Sequence, residues 1–143
     1  MSVTVLIVED GDEYLDNLSR FVRGPRYLQS HDGAEAVRLL GSETIDLVYL
    51  DMRFDRIAEE RLLGSGGGRS LKHLQNHQGL YILQALADGG HAALPVILAY
   101  DFSREPERFD HLVARHANLT WVPDAVTPDE IRARIARLTG IRL

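Results

Sequence analysis

The sequence predicts a single doubly wound α/β domain, a parallel sheet with helices on both faces. Three observations predict it. Two largely apolar runs, Val3–Val8 and Ile45–Leu50, each end on acid, the first on Glu9-Asp10 and the second on Asp51. Strand-like and helix-like stretches alternate at the short spacing of βαβ units. The chain has 143 residues, 45% of them hydrophobic, enough for one core of ordinary size.

The elements follow in order. Thr4 to Val8 is continuously apolar, the pattern of a strand covered on both faces. Asp12 is placed to cap a helix on which Leu15, Leu18, Phe21 and Val22 recur, and Gly24-Pro25 stops it. Tyr27-Leu28 reads as a short strand. Gly33 leads into a helix with Ala36, Val37 and Leu40 on one face, and Gly41 to Glu43 turns into the strand Ile45–Leu50. The pattern then breaks between Met52 and Gln78. Arg56 to Leu63 predicts a helical turn or two, and Ser70 to His77 a separate short helix. Between them, Gly64-Ser65-Gly66-Gly67-Gly68 is costly to order, because glycine gives up the most backbone entropy. Leu80, Leu83, Leu86 and Ala87 mark the next helix, ended by Gly89-Gly90. A strand from Pro95 to Ala99, a helix from Glu105 to His116 and a strand from Leu119 to Val122 come next. Pro128 opens the last helix, lined by Ile131, Ile135 and Leu138. Five strands and five main helices leave no linker between domains. Residues 1–143 read as one domain, with 54–78 inserted between the third strand and the third helix.

A net charge of −5 argues against an extended nucleic-acid footprint. No run approaches the roughly 20 apolar residues of a membrane span, and the start lacks the profile of a secretory signal. With no cysteine, thiol catalysis, disulfides and thiolate metal sites are excluded. A cytoplasmic location is the expectation.

The chemistry concentrates at one sheet edge. Parallel strands deliver Glu9, Asp10 and Asp51 to their carboxyl ends, where ligands of open α/β sheets bind. Like charges a few Å apart raise each other's pKa, so such a cluster needs a cation or a proton. Oxygen ligands suit Mg²⁺, and the backbone carbonyl of Arg53 is placed to join them. An aspartate here is also a candidate to attack phosphorus and form an acyl phosphate. The plain alternative is that the three acids cap strand ends and face solvent.

The chain resembles the receiver domain of two-component response regulators, the CheY-like superfamily, in a divergent form. Val5-Leu6-Ile7-Val8-Glu9-Asp10 is similar to the first strand with its acidic pair, and Asp32-Gly33-Ala34-Glu35-Ala36 to the start of the second helix. Asp46 to Met52 resembles the phosphoacceptor strand, Pro95 to Leu98 the fourth strand, and Thr127 to Ile131 the entry to the last helix. The resemblance implies a flavodoxin-like (βα)5 three-layer sandwich with strand order 2-1-3-4-5. It also implies Asp51 as phosphoacceptor and Mg²⁺ at Glu9, Asp10, Asp51 and the Arg53 carbonyl. Implied partners are a sensor histidine kinase or phosphotransfer protein, another signalling protein, or a second copy of the chain, with neither membrane nor direct nucleic-acid binding.

Three departures from the family stand out. The threonine or serine ending the fourth strand aligns with Tyr100, and the small residue after it with Asp101. The lysine ending the fifth strand aligns with Asp124, a repulsive charge beside a phosphoryl group. Tyr100 is also bulky enough to block the inward swing of Trp121 by which family members relay phosphorylation. The segment after Asp51 is about twenty residues longer than usual before Gly79, a length often used for partners or covers. It carries Arg53, Arg56, Arg61, Arg69 and Lys72, read first as solvated charges, with the alternative that one folds over the acidic edge in place of the lysine.

Weaker signals complete the reading. Gly64 to Ser70 lacks the Gly-Lys-Ser/Thr ending of a phosphate loop. His73 and His77 share a helical face without the acid of a zinc protease, and read as surface. Phe102, Phe109 and Trp121, with Arg132 on the last helix, form a candidate interface. The expectation is a stand-alone divergent receiver domain with output through protein contacts and Asp51 open to phosphorylation. The alternatives are a phosphorylation-independent interaction module and a small Mg²⁺-dependent phosphotransfer or hydrolytic enzyme.

Overall fold

The computed structural model describes residues 2–143. Its strands are β1 (Thr4–Val8), β2 (Arg26–Ser30), β3 (Leu47–Asp51), β4 (Val96–Ala99) and β5 (Leu119–Val122). All pair in parallel, in the order β2-β1-β3-β4-β5. The helices are α1 (Glu13–Phe21), α2 (Gly33–Ser42), α3 (Leu71–Leu86), α4 (Pro106–Arg115) and α5 (Pro128–Thr139). This is the flavodoxin-like arrangement the resemblance implied.

Alternation along the strands builds two cores. Leu6, Val8, Val48, Leu50, Val96 and Leu98 face one way and pack with Ala36, Leu40, Ile82 and Leu86. Val5, Ile7, Leu47, Tyr49, Ile97 and Ala99 face the other way and pack with Leu18, Val22, Ile131 and Ile135. Both faces of the sheet are therefore buried, which is why the strands read as unbroken apolar runs. Among the described residues, no helix is long and apolar enough to cross a membrane.

Side chains cap three of the five α-helices, while α1 and α4 start without such a bond, α4 on Pro106. Asp32 accepts from the Glu35 N–H at 2.8 Å, Ser70 from His73 at 3.1 Å and Thr127 from Glu130 at 3.2 Å. Asp12, expected to cap α1, makes no such bond. Its carboxylate faces His31 at 3.1 Å, and Glu9 instead accepts from the Tyr14 N–H at 2.8 Å.

The long connection after β3 differs from expectation in two ways. Residues 71–86 form one helix where two were predicted, and His73 and His77 both lie on it. Gly79 sits mid-helix because α3 crosses the end of β3 there: its N–H donates to Met52 O at 2.9 Å, and Phe54 N–H donates to Gln75 O at 2.9 Å. The segment before α3 is also docked. Phe54 and Leu62 are buried, a single helical turn spans Glu59–Arg61, and the buried Gln78 amide bonds both N–H and C=O of Leu63. Gly64, Gly66 and Gly68 take φ of +85°, +82° and +87°, so the glycine run makes turns that other residues resist.

Candidate functional site

Register decides what the sheet edge carries. Val8 pairs with Leu50 and Asp51 with Ala99, so the residues just beyond β1, at the end of β3 and beyond β4 and β5 come together. The strand order reverses between β1 and β3, and a cleft opens at such a point. Here it is a cavity of about 500 Å³ whose lining includes Asp10, Asp51, Arg53, Tyr100, Asp101 and Asp124.

Six of the predicted site residues thus meet, but Glu9 is not among them. Its side chain turns toward the first turn of α1, where it caps Tyr14, and the residue is only 2% exposed. Burial, partly opposed by that hydrogen bond and reinforced by Glu13, pushes the Glu9 carboxyl up to about 7. Asp51 is also pushed up to about 7. Burial is the main cause, the Met52 N–H at 2.8 Å opposes it, and the charges of Asp10 and Asp124 add to it. Asp124 therefore acts on Asp51 as a like charge.

Asp10 is satisfied differently. Its Oδ2 accepts from the Asp55 N–H at 2.8 Å and the Arg56 N–H at 2.9 Å, and its Oδ1 lies 3.2 Å from Arg56 Nη2. Arg56 also grips Glu13 with both terminal nitrogens, at 2.6 and 3.1 Å, which holds the Glu13 carboxyl below its usual range. The Asp10 side chain is 2% exposed under this cover. The reading of the inserted cations as solvated thus fails for Arg56, and for Arg61, which bonds Asp32 at 2.8 Å. Sequence named Arg56 only as one of five, since nothing in its local pattern aims it at Asp10.

The predicted Mg²⁺ ligand set is not assembled as expected. Among the described residues, no three acidic or histidine side chains converge on a point where they could hold one metal ion. Glu9 is committed to a helix N-terminus and Asp10 to two amides and a guanidinium, so the predicted ligand set does not close. Of the two remedies for crowded acids, Glu9 and Asp51 have raised affinity for a proton, and Asp10 has an arginine.

The switch positions are rearranged as well. The Tyr100 hydroxyl donates to Glu105 at 2.5 Å and accepts from Arg108 at 3.2 Å, so it is committed to α4. Its ring packs edge-on against Phe102, 4.6 Å between centroids, and Phe102 in turn against Trp121 at 5.8 Å. Phe102 is 1% exposed and belongs to the core, which corrects its assignment to an interface. Arg132 bonds Asp129 and the Phe21 carbonyl, tying α5 to α1. The residue beside Trp121 is Arg134, which donates to the Trp121 carbonyl at 3.0 Å. Phe109, Trp121, Pro123 and Arg134 line a separate groove of about 400 Å³. Asp101 bonds the Ser103 N–H at 2.8 Å, which lowers its pKa.

An open five-stranded parallel sheet in this order, with acids at its switch point, defines a flavodoxin-like domain whose site lies outside the strand ends. Its fold is that of response regulator receiver domains. The receiver domain of the Francisella response regulator 1452 superposes with a TM-score of 0.69 at 16% identity, covering 97% of this chain and 98% of that one. The chemotaxis response regulator CheY4 of Vibrio cholerae gives 0.69 at 16%, covering 96% and 99%. The signal receiver domain of a signal transduction histidine kinase from Syntrophus aciditrophicus gives 0.68 at 19%, covering 97% and 91%. No protein-family model matches the sequence, and no curated protein does either.

Proposed function

We propose that this chain is a cytoplasmic signalling module of receiver fold that works by binding another protein, its acidic edge held by internal contacts rather than switched by phosphoryl transfer. The occupied Asp10 carboxylate carries this reading, since both its oxygens already have donors from Asp55 and Arg56. Phosphoryl transfer to Asp51 needs positive charge at the incoming oxygens and an ionised nucleophile. The edge is poor on both counts, with more acids than arginines around the cavity, Asp124 among them, and the Asp51 carboxyl raised to about 7. Binding would use the groove beside Phe109, Trp121 and Arg134, where aromatic surface and one cation lie open together.

A second reading keeps Asp51 as an acceptor for a sensor histidine kinase or phosphotransfer protein. The cavity favours it, because it is wide and reaches the Asp51 side chain. Incubation with Mg²⁺ and a small acyl-phosphate donor, followed by intact-mass measurement beside Asp51→Asn, separates the two. The binding module predicts no added mass. An Asp51-dependent gain of one phosphoryl group would establish the acceptor instead.

A further inference from the structure

We infer that Arg56 closes the acidic edge to divalent cations, its guanidinium being the counter-ion the edge carries in their place. The inference deepens the reading above and rests on it. The two oxygens of Asp10 have separate duties. Oδ2 is held by the backbone N–H groups of Asp55 and Arg56, bonds that do not depend on the side chain at position 56. Among the hydrogen bonds of the described residues, Oδ1 is met only by Arg56 Nη2. The guanidinium is itself held by its two bonds to Glu13 while it lines the cavity beside Asp10. A divalent ion at Asp10 would have to displace that group or sit against its positive charge.

Removing the guanidinium changes both terms at once. Oδ1 loses its donor while Oδ2 keeps both amides, so the carboxylate stays aimed by the backbone with one oxygen free. The lining then holds Asp10, Asp51, Asp55, Asp101 and Asp124 against the single charge of Arg53. An anionic, oxygen-lined, solvent-open cavity suits a hard cation that keeps several waters, with the Arg53 carbonyl as a neutral donor. Of the contacts that occupy Asp10, the guanidinium is thus the one a single side-chain change removes.

Manganese serves as the probe, because electron paramagnetic resonance counts the free ion directly. Wild-type protein, Arg56→Ala, Glu13→Gln and the Arg56→Ala, Asp10→Asn double variant are titrated with Mn²⁺, and circular dichroism checks each fold. The expected result is no saturable binding by wild type at millimolar Mn²⁺, and one bound ion, about tenfold tighter or more, in Arg56→Ala. Glu13→Gln, which loosens the guanidinium without touching Asp10, should fall between them, and the double variant should return to the wild-type level. Glu13→Gln decides the matter alone if Arg56→Ala does not fold. Wild-type binding equal to that of Arg56→Ala, or no binding by either single variant, overturns the inference. No phosphodonor is present, so acceptor activity at Asp51 would contradict the proposed function without altering these counts.

Discussion

Gly79 stands so close to Asp51 that a Cβ built on it would lie 2.5 Å from the Asp51 carbonyl oxygen. The absence of a side chain there lets α3 cross the end of β3 and donate its Gly79 N–H to Met52. Helix and acidic strand end are thereby joined through one peptide unit. Gly79→Ala forces them apart, and overpacking of this kind costs about 1–3 kcal/mol. Urea unfolding should show a lowered midpoint with an unchanged slope.

Gln78 holds the insertion from the same helix. It is fully buried, and its amide bonds both polar groups of the Leu63 backbone. Gln78→Leu leaves those two groups without their partners, at a cost of about 1–3 kcal/mol for an unpaired buried group. Hydrogen exchange of the Leu63 amide should accelerate, while the β1 and β3 amides keep their order of protection.

Asp124 is predicted to contribute to the raised pKa of Asp51. Asp124→Lys replaces a like charge with an opposite one across the same cavity, so the Asp51 carboxyl should titrate lower, although burial, the main cause of its raised value, remains. Side-chain carboxyl ¹³C NMR reads this directly. An unmoved titration would mean that residue 124 does not act on Asp51.

Stability should fall as pH rises toward neutrality. Glu9 and Asp51, each raised to about 7 mainly by burial, bind their protons more tightly when folded than when unfolded. Folding therefore takes up protons between the ordinary carboxylate range, near about pH 4, and about pH 7. The contribution is full below that window and lost as pH climbs through it. Asp32 works the other way. Burial alone would raise it, but the Glu35 N–H and Arg61 outweigh that and lower it, so its contribution is lost in acid. The urea midpoint should decline between about pH 4 and pH 7, and less steeply in Asp51→Asn.

The centre of the sheet was legible because β1, β3 and β4 are buried on both faces and are mostly apolar, whereas the partly exposed edge strand β2 gave only Tyr27-Leu28. Pro128 announced the last helix because its fixed φ suits a first helical position, while the caps Asp32 and Thr127 were visible only as part of the resemblance. The break of α3 into two predicted pieces came from Gly79, whose local cost to a helix is outweighed by the close approach to Asp51. The site was half legible. Strand ends located Asp10 and Asp51, but a capping role for Glu9 competes with ligation, and sequence spacing cannot choose between them. Arg56 reaches Asp10 across 46 positions, a contact that exists only once Phe54 and Leu62 have docked the insertion.

The most direct test of an internally satisfied acidic edge is a Mg²⁺ titration of the wild-type protein followed by amide NMR. The Asp55 and Arg56 amides, donors to Asp10, should hold their chemical shifts and protection as Mg²⁺ rises into the millimolar range. A saturable shift of those two signals together with Met52, the donor to Asp51, would show the ion entering and would contradict the account.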